Sequence, residues 1–208
     1  MKIFFRKKIQ DGFTLIELMV AMTIFTVLVI LGSGAVLNVM SAHEKTQNIR
    51  NAMDSLSFVM EDMSRNIRLG TNFHCFDVGV STSTTDTSLD GSGVPIPRDC
   101  SFSSSGVNNE IVFQSSSGVG QNISYIITPP SSGTVQIAKK IGSGSWQVIT
   151  PRDVVVDYFK SGFIVVGAPQ GDGLQPVINI SLSGSVSSFG IKSTFSVQTT
   201  VSSRPLDG

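Results

Sequence analysis

The first strong pattern along the chain is an apolar run with almost no interruption. From Phe13 to Leu31 the only polar side chains are Thr14, Glu17, Thr23 and Thr26. These 19 residues make about 28 Å of helix at about 1.5 Å per residue, close to the roughly 30 Å of a bilayer core. Threonine hydroxyls can bond carbonyls of their own helix, so they cost little in lipid. Beyond the run the pattern becomes amphipathic. Val39, Ala42, Ile49, Met53, Leu56, Met60, Met63 and Ile67 recur at mostly helical spacings and predict one apolar stripe. Glu61 with Arg65, and Asp62 with Arg65, have the spacing of surface pairs on a helix. Gly70 predicts the helix end, with Arg65 and Arg68 in the last turns. From Phe13 to Leu69 the predicted helix has 57 residues, or about 85 Å, which no single small domain can bury. Gly32-Ser33-Gly34 interrupts it, either as a bend or local unwinding or as a place where small residues let another helix approach.

Residues 71–109 are rich in Ser, Thr, Gly, Asp and Pro, with no sustained period. They predict a long loop with room for one short strand. The remainder predicts strands at Glu110–Gln114, Ile123–Thr128, Thr134–Lys140, Trp146–Thr150, Val154–Phe159, Phe163–Val166, Val177–Leu182 and Ile191–Ser203. In the last of these Phe195, Val197, Thr199 and Val201 alternate with Thr194, Ser196, Gln198 and Thr200, so one face is buried and the other wet. The fold class is therefore α+β. A long N-terminal helix, membrane-spanning over 13–37 and amphipathic over 38–70, leads to an antiparallel β domain over 71–208.

Charge sharpens this picture. Lys+Arg and Asp+Glu are 15 each, so the formal charge is zero, and no broad basic surface for nucleic acid is expected. Only 14% of residues are charged; the polar surface is built largely from 31 Ser and 15 Thr. The zero is unevenly made. Lys2, Arg6, Lys7 and Lys8 against Asp11 give residues 1–12 a net +3, and the rest of the chain carries −3. Basic residues ahead of an apolar span keep that end cytoplasmic and place the remainder outside. There Cys75 and Cys100, too few for a zinc site of their own and not a CxxC pair, can form a disulfide; otherwise they are two buried thiols. Paired, they would contribute about 3 kcal/mol by loop closure.

Two processing signals compete. Gly32-Ser33-Gly34-Ala35 imitates a secretory cleavage site after the apolar run. Before the run stands Gly12-Phe13-Thr14-Leu15-Ile16-Glu17, where a carboxylate enters an apolar span and is costly unless functional. This string, preceded by basic residues, resembles the class III signal of type IV pilins and pseudopilins. The resemblance implies that 1–12 is a prepilin leader cut between Gly12 and Phe13, and that Phe13 is then N-methylated. It also implies that Glu17 pairs with the Phe13 amine of a neighbouring subunit, fixing axial register in a filament core. The long helix before a sheet is similar to the same superfamily. Met60–Arg68 and Thr199–Arg204 resemble minor pseudopilins of J type or W-type minor pilins.

The partners so implied are the inner membrane, prepilin peptidase, other minor and major pilins or pseudopilins, and an assembly ATPase and platform acting indirectly. The implied location is the bacterial cytoplasmic membrane, single-pass with the N-terminus inside, then a filament in the periplasm or at the cell surface. No enzyme is expected, because His43 and His74 have no GxSxG, HExxH or P-loop context. His74 reads as a loop residue, with a zinc site of His74, Cys75 and Cys100 as the metal alternative. No cofactor is expected either. Some pseudopilins hold calcium in an exported loop; here Asp86, Asp90, Asp99 or Asp172 would have to serve, without EF-hand spacing. The competing function is a membrane-anchored exported adhesin or ligand-binding module using the loop 71–109.

Overall fold

A computed structural model describes residues 12–76, 89–90, 92–101, 108–116, 121–151, 153–169, 173–188 and 191–204. The chain divides into two compact units, Met1–Thr46 and Gln47–Gly208. One helix, α1 (Leu15–Arg68), contributes to both.

In the first unit every described residue is exposed, the apolar ones included: Leu15 is 79% and Leu31 67% accessible. Among the described residues α1 is the one helix long and apolar enough to cross a membrane. Its hydroxyls turn inward. Thr23 donates to Val20 O (2.8 Å), Thr26 to Met22 O (2.7 Å) and Ser33 to Val29 O (2.7 Å). The helix continues through Gly32, Ser33 and Gly34, so the unwinding allowed by the sequence is not observed there. A Cβ at either glycine would meet nothing within 4 Å.

In the second unit α1 buries a stripe of Ala52, Leu56, Val59, Met60, Met63 and Ile67. This corrects the predicted stripe at its start: Val39, Ala42 and Met53 are exposed, while Ala52 and Val59 take core positions. The stripe packs into a core shared by two antiparallel sheets. The first runs β1 (Thr71–Phe76), β2 (Glu110–Gln114), β3 (Asn122–Ile127), β4 (Ile137–Ile141) and β5 (Gln147–Val148), each paired with the next. The second is built on β8 (Val177–Ser188). β6 (Val154–Val156) and β7 (Gly162–Val166) flank opposite halves of β8, and β9 (Ile191–Ser202) pairs along its whole length. Ile178, Ile180, Leu182 and Val186 of β8 face the core, with Phe195 and Val201 of β9 beside them.

The strand predicted over Trp146–Thr150 shortens to Gln147–Val148, and β4, β6 and β8 depart from their predicted limits for local reasons. β4 starts at Ile137 because Gln136 is bonded by both its N–H and its C=O to Thr128. β6 stops at Val156 because the Asp157 carboxylate accepts the Phe159 N–H (3.1 Å) and turns the chain. β8 continues through Ser183-Gly184-Ser185, since β9 supplies a partner there and Gly184 leaves room for the Phe195 ring and β6 backbone.

The helix end differs from expectation in its cause. Gly70 N–H bonds Ile67 O (3.0 Å), but Gly70 is not left-handed; Asn72 is, at φ 56°. Gly70 is needed because a Cβ there would run into the buried Phe113 ring.

Candidate functional site at the helix start

Gly12, Phe13 and Thr14 lie outside the helix, and α1 begins at Leu15. Thr14 is its N-cap. Its hydroxyl accepts the Glu17 N–H (3.3 Å), and its carbonyl accepts the Leu18 N–H (3.2 Å). Thr14-Leu15-Ile16-Glu17 is thus the first half of a capping box, a T-x-x-E signal legible in the sequence but hidden there inside the apolar run. The cap explains why the helix starts where it does and leaves Gly12-Phe13 as non-helical backbone. Such backbone can enter a protease cleft without unwinding a helix first. Phe13 is 83% exposed, and nothing lies within 4 Å of a Cβ built on Gly12. Glu17 stands in the first turn, where a carboxylate favours the positive end of the helix dipole. The structure therefore gathers Gly12, Phe13 and Glu17 within one turn at an exposed helix start. Residues 1–11 of the expected leader lie outside the described residues.

The remaining sequence candidates fall elsewhere. Cys75 and Cys100 form a disulfide, with Cα atoms 6.2 Å apart. Cys75 belongs to β1, while Cys100 exchanges backbone hydrogen bonds with Val165 of β7 (2.8 and 2.9 Å), so the bond ties the first sheet to the second. His74 is in strand β1 rather than in a loop; it is buried, and its Nδ1 lies 2.7 Å from Ile96 O. The zinc alternative does not hold here, because both sulfurs are engaged in the disulfide. Of the proposed calcium ligands, Asp90 accepts the N–H groups of Ser92 and Val94 (2.8 and 2.9 Å), and Asp99 accepts the Ala168 N–H (2.7 Å). Asp90 thus organises its own turn, and Asp99 ties its segment to the chain just after β7. Asp86 and Asp172 lie outside the described residues, as do 77–88, 91 and 102–107 of the loop 71–109. Among the described residues no group of three or more His, Cys, Asp or Glu could hold a metal.

A cluster that sequence reasoning missed joins α1 to the first sheet. Asp62 faces the sheet instead of Arg65 and pairs with Lys139 of β4 (2.9 Å). It also accepts the Tyr125 hydroxyl (2.7 Å), and Asn66 Nδ2 donates to both Asp62 and Tyr125 (3.1 and 2.9 Å). Burial alone would raise the Asp62 carboxyl, but the Lys139 and Tyr125 bonds and the Lys139 charge hold it below its usual value. Burial, then Asp62, pushes the Tyr125 hydroxyl well up. The partners are separated by 63 and 77 positions in the chain, so no local spacing announces them.

A family model for the prokaryotic N-terminal methylation motif matches residues 7–33. No curated protein and no solved structure matches the chain. The matched segment holds Gly12, Phe13, the Thr14 cap and Glu17, and the helix it opens leads into antiparallel sheets. By that motif the N-terminal segment of the chain is similar to that of type IV pilins and pseudopilins, and the layout of one long helix leading into antiparallel sheets agrees with that likeness.

Proposed function

We propose that the protein is a minor pilin or pseudopilin, a structural subunit made as a precursor and assembled at or near the tip of a type IV pilus or a type II secretion filament. In this reading prepilin peptidase cuts between Gly12 and Phe13 and methylates the new amine. The basic leader stays in the cytoplasm, the apolar half of α1 holds the subunit in the inner membrane, and the β domain lies outside. Other pilins or pseudopilins then replace lipid around the helix, while an ATPase and platform drive insertion. Glu17 meets the methylated Phe13 amine of the next subunit, and desolvation of both charges penalises any other register. The J-type or W-type assignment rests on the helix-end and C-terminal stretches, which are much less specific than the motif.

The observation that carries the reading is the methylation motif set on an exposed, capped helix start. Mass spectrometry of the membrane-extracted protein tests it: the expected N-terminus is N-methylated Phe13. An intact Met1, or cleavage near Ala35, overturns it. Glu17→Ala should be processed normally yet enter filaments at least about tenfold less well, the size expected when one buried charge loses its partner. Undiminished incorporation beside wild-type partners would remove the amine-pairing role.

A further inference from the structure

The outer edge of β9 is a second candidate site, independent of how the N-terminus is processed. Ser203 N–H donates to Pro176 O (3.0 Å) in the register of the β8–β9 pair. Residues bonded to a neighbouring strand alternate in an antiparallel ladder. The odd-numbered residues of β9 therefore turn their backbone toward β8. Lys192, Thr194, Ser196, Gln198, Thr200 and Ser202 turn theirs away from it. Among the described residues no strand pairs with this edge. It can take a partner: Arg204 N–H, next in the same series, donates to Arg68 O at the end of α1 (2.9 Å).

Beside the N-terminal half of this edge lies an open cavity of about 660 Å³ over the outer face of β6, β8 and β9. Asp157, Lys160, Ser183, Ser185, Lys192 and Thr194 line it. Lys160 pairs loosely with Asp157 (3.6 Å), which leaves Lys192, among the described residues, as the cation of the lining without an acidic partner.

We propose that the β9 edge and this groove bind an extended acidic peptide segment of a partner protein by β-strand addition. The unpaired N–H and C=O groups repeat every second residue, about 6.8 Å, which is the spacing an extended polypeptide satisfies. Every second side chain of the added strand then lies over the groove, where a carboxylate meets Lys192 and polar neighbours meet the serine and threonine hydroxyls. A second copy of β9 is a poorer occupant, because Ile191–Ser202 contains no acidic residue to answer Lys192.

The test uses the full chain in detergent and a capped, labelled seven-residue peptide alternating glutamate and valine. Fluorescence anisotropy should show binding, and hydrogen-exchange mass spectrometry should show slowed exchange over 192–202. A lysine–valine peptide should not bind. Lys192→Glu, and peptides N-methylated at alternate backbone nitrogens in either phase, should each weaken binding about tenfold or more. Ser196→Pro removes an outward N–H without touching a backbone bond to β8; compared with Ser196→Ala, which equally loses the Ser183–Ser196 hydroxyl bond, it should weaken binding at a matched unfolding midpoint; if that variant does not fold, the N-methylated peptides ask the same question. Absence of peptide binding overturns the proposal. So does equal binding of the N-methylated peptides or of an oligo-uronate of matched charge, which would assign the groove to an acidic polysaccharide. Protection of 192–202 that rises with protein concentration in the absence of peptide would assign the edge to a second copy.

Discussion

The two halves of α1 are one continuous helix made from similar apolar residues, yet they meet different surroundings. Before Thr46 every apolar side chain of the helix is exposed, and the apolar residues go all the way round. After Gln47 the apolar residues narrow to a stripe, and Leu56, Val59, Met63 and Ile67 are 1% exposed or less. An all-round apolar helix needs a medium, lipid or other helices, whereas a striped one needs only a sheet. The first half is thus built for an environment the chain does not itself supply, and the second for one it does.

The same truncation in the two halves breaks or sharpens this contrast most directly. Leu56→Ala should cost about 2–5 kcal/mol of the stability of the β domain, because its site is closed on all sides. Leu28→Ala, 62% exposed, should change it by less than about 0.5 kcal/mol. Urea unfolding of the detergent-solubilised chain, followed by near-ultraviolet circular dichroism, reads both. Similar losses would mean that the first half packs against its own chain after all. Next in size, Cys75→Ser should cost about 3 kcal/mol, since the bond closes a loop across 25 positions and ties the two sheets. Reductant should lower the wild type to the level of the variant and leave the variant where it was. If reductant moves both alike, the disulfide is not the cause.

Glycine substitutions should differ in sign between the halves. Gly70→Ala places a methyl into the buried Phe113 ring and should cost about 1–3 kcal/mol. Gly34→Ala meets nothing and should strengthen the helix by up to about 1 kcal/mol, read as helicity in detergent. If the same Gly34→Ala change lowers incorporation into filaments, Gly34 keeps space for a neighbouring helix. A loss of helicity instead would show that the segment is not helical in detergent.

What the sequence made legible follows the range of each interaction. The helix, its apolar first half and most strands rest on periods of a few residues, and those periods survive folding. GFTLIE was legible because its residues lie together in the sequence, around a single helix start. Strand β1 was obscured because Thr71-Asn72-Phe73-His74-Cys75-Phe76 runs into a Ser/Thr-rich stretch with no alternation to mark its end. The second half of β8 was hidden by its serines and Gly184, which make sense only beside β9. Asp62 was placed wrongly for the same reason. Arg65 is its neighbour in sequence, but Lys139 and Tyr125 reach it through the fold and can share its charge while partly shielded from water. The β9 edge could be seen only after the ladder assigned which residues turn away from β8.

A small effect is expected from the pH dependence of the Asp62 cluster, which belongs to the second half of α1 alone. The Asp62 carboxyl is held below its usual 3.8, so it binds a proton less readily in the folded chain than in the unfolded one. Its contribution is present in full above that value and is lost as pH falls through the lower folded one. Tyr125 works in the opposite direction. Its hydroxyl is held above 10.0, so its contribution is present below pH 10 and is lost as pH rises toward the folded value. Asp62 remains partly in contact with solvent, so its share should be under about 1 kcal/mol. Comparing wild type with Asp62→Asn isolates it from the other carboxylates: the stability difference should be flat from pH 7 to about pH 5 and shrink below pH 4. Lys139→Met should narrow the same difference at pH 7 without affecting helicity of the first half. A difference that stays constant down to pH 2.5 would mean that Asp62 holds the sheet through hydrogen bonds a neutral side chain makes equally well, and that the charge of Lys139 is incidental to the docking of α1.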